Sequence, residues 1–111
     1  NAEATYANKI EKYETKINWS LTASEIRNLI YSISPKPGAW TITKEGKRLK
    51  ILSASIQEIE GEEGVLLNNQ FVGCGLKSLK IVEVQPEGKK IMLFDDYLRG
   101  KNFLTSERIF D

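Results

Sequence analysis

The chain has 111 residues, 41% hydrophobic and 28% charged, enough for one compact domain with a small core, and its net charge of +1 does not by itself announce a nucleic-acid partner. It holds no histidine and one cysteine, Cys74, which excludes histidine acid–base catalysis, a Cys–His nucleophile, the usual zinc sites and an internal disulfide within the chain. No apolar run nears the roughly 20 residues of a bilayer span and none has the form of a secretory signal, so a cytoplasmic domain without a membrane partner is expected, with a monomer as the simplest state.

In chain order, residues 1–18 interleave Lys and Glu with scattered Tyr6, Ile10, Tyr13 and Ile17, and read as an interdomain linker or arm. The start at Asn1 rather than methionine suggests a piece of a longer polypeptide, with the domain proper at 19–111. Thr22 and Glu25 then form a T-x-x-E capping box, with Leu21 and Ile26 placed as a hydrophobic staple. Ile26, Leu29, Ile30 and Ile33 follow at i, i+3, i+4 and i+7, the apolar stripe of a helix that Pro35 ends.

Beyond Gly38 the pattern is that of strands. Residues 39–43 lead to a turn at Glu45-Gly46, and 47–59 read as one long or bent strand. Its apolar residues change phase, Leu49 and Ile51 on one side and Leu52, Ala54 and Ile56 on the other, which a bulge would explain. Short strands are expected near 64–67, 70–74 and 79–85, then a short helix near 93–99 with Asp95 and Asp96 early, Arg99 late and Gly100 as its stop. Phe103 and Leu104 are assigned to a last strand. The predicted class is mostly β with helices (α+β): a small OB-like Greek-key barrel with an N-terminal helix and a short late helix.

The charge is uneven. Lys44, Lys47, Arg48 and Lys50 crowd around one acid, Glu45, while Glu58, Glu60, Glu62 and Glu63 gather elsewhere. Strand alternation puts Arg48 and Lys50 on one face and Lys47 on the other, a pair suited to gripping a phosphate. Lys89 and Lys90 follow Pro86 and Gly88 in a tight loop, Arg99 and Lys101 flank a helix end, and Lys36 stands between two prolines. Taken singly, each cluster also fits a solvated face. Trp19 and Trp40 could stack on bases, but core packing is the expected role of both. Asp95 and Asp96 are explained by the helix dipole, so neither a metal site nor a catalytic residue is assigned.

Four segments in order resemble the C-terminal domain of methionyl-tRNA formyltransferases. They are Ala4-Thr5-Tyr6-Ala7 with Lys9 and Ile10; Ile17, Asn18 and Trp19; Pro35-Lys36-Pro37-Gly38-Ala39-Trp40-Thr41; and Gln85-Pro86-Glu87-Gly88-Lys89-Lys90 with Met92, Leu98, Arg99 and Gly100. Asn18 and Ser34 depart from the Asp and Asn usual in that family, both in local turns. The resemblance implies a parent enzyme that moves a formyl group from 10-formyltetrahydrofolate to methionine on initiator tRNA, with catalysis in a covalently linked N-terminal domain. No cofactor is implied in this chain, which would be inactive alone. Initiator Met-tRNA would be held by the basic surface, with Lys89, Lys90, Arg48, Lys50, Arg99, Lys101 and Lys36 as the candidate contacts. Two other readings stay open: the C-terminal domain of a formyltransferase acting on a small molecule (a nucleotide sugar or a folate-linked substrate), and a freestanding OB-like interaction domain.

Overall fold

The computed structural model describes residues 15–34, 38–68, 70–101, 103 and 105–111. The expectations placed on residues 1–14, Pro35, Lys36, Pro37, Asn69 and Leu104 lie outside the described residues.

Helix α1 (Ala23–Ile33) is set by local chemistry. The Thr22 hydroxyl accepts from the Glu25 N–H at 3.1 Å, and the Glu25 carboxylate accepts from the Thr22 N–H at 3.0 Å, so both halves of the capping box are present. Ala23, Ile26, Ile30 and Ile33 form its buried face. The helix ends at Ser34, whose ψ of 145° is the extended backbone favoured before a proline.

Among the described residues six strands follow: β1 (Ala39–Ile42), β2 (Arg48–Gln57), β3 (Leu66–Asn68), β4 (Phe71–Gly73), β5 (Ser78–Pro86) and β6 (Met92–Leu93). Helix α2 (Phe94–Arg99) completes the order. Each pairing between these named strands is antiparallel, and the sheet runs β1-β2-β5-β4-β3. One edge of β5 pairs with β2 along its length; the other is shared by β4, opposite residues 78–80, and β6, opposite Glu83 and Val84. Strand β6 is not anticipated by the sequence pattern, and Phe103 lies in no strand.

The phase change in β2 is a bulge, with register shifts between Ile51 and Ser53 and between Ser53 and Ala54. Its effect is to keep Leu49, Ile51 and Ala54 in one core although their spacing changes from two to three. The Tyr31 hydroxyl, reaching from α1, donates to the Ala54 carbonyl at 2.8 Å and accepts from the Ala54 N–H at 3.1 Å. A helix side chain thus serves the backbone where the ladder is irregular.

The fold is mostly antiparallel sheet with two helices, as expected, but the sheet is not a closed barrel: β1 and β3 do not pair with each other. The gap is spanned by the C-terminal stretch instead. Arg108 bridges to Val65 beside β3, and Phe110 bridges to Thr43 beside β1. Backbone bonds from Leu66 N to Glu107 O (2.9 Å), Ile109 N to Gly64 O (2.9 Å) and Asp111 N to Ile42 O (2.8 Å) continue these contacts. Ile109 and Phe110 are buried, and Phe110 stacks on Trp19 with ring centroids 5.3 Å apart. Around them the core gathers Ile17, the inner face of α1, the inward residues of β1, β2, β4 and β5, and Phe94 and Tyr97 of α2.

Candidate nucleic-acid interface

The β2–β5 ladder brings together two basic stretches far apart in sequence. Its register sets Leu49 opposite Pro86 and Lys50 opposite Gln85, so the start of β2 lies beside the turn that ends β5. On the other side of β2, β1 places Trp40 opposite Lys50. The result is an open groove of about 340 Å³ lined by Thr15, Trp40, Arg48, Lys50 and the Gln85–Gly88 stretch.

Two features fix its shape. The turn is held by the Lys89 N–H on the Pro86 carbonyl at 3.0 Å, by the Gln85 side-chain amide on the Lys89 carbonyl at 2.9 Å, and by the Glu87 N–H on the Arg48 carbonyl at 3.3 Å. Gly88 sits at φ +75°, the left-handed geometry that such a turn requires and that glycine adopts without strain. Arg48, in turn, lies over the Trp40 ring, its guanidinium carbon 4.3 Å from the ring centroid. That is a cation–π contact at a half-open site, worth about 0.5–1 kcal/mol.

Lys89 and Lys90 are exposed, and neither forms an ion pair among the described residues. Of the candidate cations, the structure therefore brings Arg48 and Lys50 to the same end of the ladder as the Lys89-Lys90 turn. Arg99 and Lys101 are held elsewhere. Arg99 pairs with both Asp95 and Asp96 at 2.7 Å within α2. Lys101 pairs with Glu45 at 2.9 Å and stands 5.3 Å over the Tyr97 ring. The Lys101 hydrogen bond holds the Glu45 carboxyl below its usual range, while burial, with the nearby Glu45 charge, pushes the Tyr97 hydroxyl up to about 12. Lys44 is paired with Glu107.

The acids collect at the opposite end of the same ladder. Glu58 follows directly after β2 and pairs with Lys77 at 3.2 Å; the Glu60 carboxylate accepts from the Lys77 N–H at 2.8 Å, just before β5 begins. With about 3.3 Å of rise per residue, the length of β5 separates the two ends by roughly 30 Å.

The tryptophans divide. Trp19 is 4% exposed, packs in the core and donates to the Thr41 hydroxyl at 2.9 Å, as expected for a packing residue. Trp40 is outside the buried core and walls the groove. Its place there was missed because it depends on β1–β2 register, although alternation with buried Ala39 and Thr41 already put it on the other face. Among the described residues, no group of three or more His, Cys, Asp or Glu side chains is placed to hold a metal ion.

These features define a small antiparallel domain with a concave basic end built from β1, β2 and the turn after β5. The chain belongs to the formyl transferase C-terminal domain family, whose model matches residues 9–102. It is 44% identical over 96 residues to the methionyl-tRNA formyltransferase of Jannaschia sp., an alignment covering 86% of this chain and 32% of that protein. It is 40% identical to the methionyl-tRNA formyltransferase of a Bradyrhizobium sp. over 104 residues, 90% of this chain and 33% of the relative. The protein of that name from Pelagibacter ubique is 39% identical over 111 residues, 98% of this chain and 36% of its own length. The chain thus spans about a third of these relatives. A crystal structure of a HypX variant from Aquifex aeolicus superposes with a TM-score of 0.65 at 17% identity, covering 87% of this chain and 19% of that one, which shows a shared fold.

Proposed function

We propose that this chain is the tRNA-holding part of a methionyl-tRNA formyltransferase, gripping initiator Met-tRNA by its phosphates while the remaining two thirds of the enzyme transfers the formyl group. The observation that carries the reading is the register that sets Arg48 and Lys50, which line the groove, at the same end of the ladder as the turn carrying Lys89 and Lys90. Phosphate contacts of this kind position a nucleic acid and carry little base information, a division of labour suited to a domain beside a catalytic one. The donor, 10-formyltetrahydrofolate, belongs in this reading to the part of the enzyme beyond this chain. The groove here is open, lined by the cations Arg48 and Lys50 and by one acid, Glu87. The chain alone is then inactive and monomeric, in the cytoplasm where translation starts. Arg99, Lys101 and Lys36 remain auxiliary contacts in the proposal; the first two would have to exchange a carboxylate for a phosphate.

The test is a titration of the chain with tRNA at low and moderate salt, beside the Lys89→Ala/Lys90→Ala variant. Expected are a Kd of about 10⁻⁴ to 10⁻⁶ M, a steep loss with salt, and a slope reduced by about one per lysine removed. An unchanged slope would take the late turn out of the interface. Absence of binding at low salt would favour a formyltransferase of small molecules.

A further inference from the structure

Arg48 differs from the other cations of the basic end in being planar and already laid on a ring. Its guanidinium carbon is 4.3 Å from the centre of the Trp40 ring, and the residue is exposed and lines the groove. A guanidinium is a weakly hydrated plane, and such planes stack on nucleobases much as aromatic rings do. Lysines can offer charge alone. The groove, at about 340 Å³, is near the lower limit of roughly 300 Å³ for small-ligand pockets, room enough for one nucleoside.

We propose that the Arg48–Trp40 stack is a platform for one unpaired base of the bound RNA, with Lys50, Lys89 and Lys90 taking the phosphates on either side. This deepens the tRNA-holding reading and rests on it. A base inside a helix cannot lie on the platform, because both of its faces are covered by its neighbours in the stack. The occupant is therefore a nucleotide from a loop or a single-stranded end. Because every base has a stacking face, the platform selects for unpairedness and only weakly for sequence.

The probe is a short single-stranded RNA with 2-aminopurine at one internal position and abasic nucleotides elsewhere, titrated against the chain, Arg48→Lys and Arg48→Ala, with thermal unfolding to check that the exposed substitutions leave the fold intact. The expected result is quenching of the fluorophore by the chain, weakened in Arg48→Lys together with about a tenfold loss of affinity, whereas Arg48→Ala, which bares the Trp40 ring as a stacking face, keeps quenching and loses a unit of salt slope. The salt slope of Arg48→Lys stays at the wild-type value, since it counts phosphates neutralised. An abasic nucleotide in place of 2-aminopurine should cost the wild-type chain the same factor. The proposal is overturned if Arg48→Lys keeps full affinity and quenching, if the abasic RNA binds as well as the intact one, or if duplex RNA of equal length binds as tightly. In each of these cases a salt-dependent tRNA titration that responds to Lys89 and Lys90 leaves the broader reading standing; failure of that titration removes both.

Discussion

Cys74 is confined on each side by a glycine with a steric reason to be one. A methyl group on Gly73 would strike the Glu62 carbonyl, and one on Gly75 would strike the Ser20 carbonyl, backbone atoms that cannot swing aside. Gly75→Ala should therefore destabilise the fold by about 1–3 kcal/mol, read from a denaturant midpoint. Burial pushes the Cys74 thiol up from 9.0 to about 12. The thiol is neutral in both states below pH 9; above it the unfolded chain releases its proton while the folded chain retains it. The contribution to stability is thus full below pH 9 and is lost as pH rises toward 12. At pH 8 iodoacetamide should leave native Cys74 unmodified and label it promptly in denaturant, and rapid native labelling would contradict the burial. The tryptophans illustrate what one residue can disclose: Trp19 and Trp40 have the same chemistry, and only the alternation along each segment separates a core ring from a surface one.

At the scale of elements, legibility follows the range of the forces involved. Helix α1 is readable because its capping box, apolar stripe and stop all lie within a few residues. Thr22→Ala should cost about 1 kcal/mol for the lost cap. The β2 bulge is readable as a change of phase, but its partner is not: Tyr31 lies 23 positions away and meets Ala54 only after α1 has docked. Tyr31→Phe leaves the Ala54 N–H and carbonyl without that hydroxyl, so a loss of about 1–3 kcal/mol is expected in chemical unfolding. Strand β6 has two residues, and the Arg108 and Phe110 bridges are isolated, so neither carries a periodicity to detect. The aromatic Phe103 drew the expectation of a last strand five residues too early.

For the molecule as a whole, the core is closed by its most distant contacts. Phe110 touches Trp19 and Phe94 while its backbone bridges to Thr43, joining parts of the chain that no local signal relates. Phe110→Ala should cost about 3–5 kcal/mol and expose the edges of β1 and β3, visible as a lower melting temperature and concentration-dependent association. Arg99→Ala, by contrast, removes only exposed ion pairs and should change stability by less than about 1 kcal/mol. The basic stretches of the candidate interface were legible as clusters; their union was not, because it is made by the register of β2 against β5.

That ladder also makes the molecule a lever with opposite charges at its two ends, while its sum is nearly zero. On the proposed tRNA-holding role, a polyanion drawing near would exert a torque before it exerts a grip, turning the Lys89 end forward and the Glu58 end away. Screening over about 8 Å at physiological salt confines this turning to the last moments of approach. Orientation is then settled during arrival, so neutralising Glu58 and Glu60 should alter how often encounters succeed while leaving the lifetime of the complex as it was.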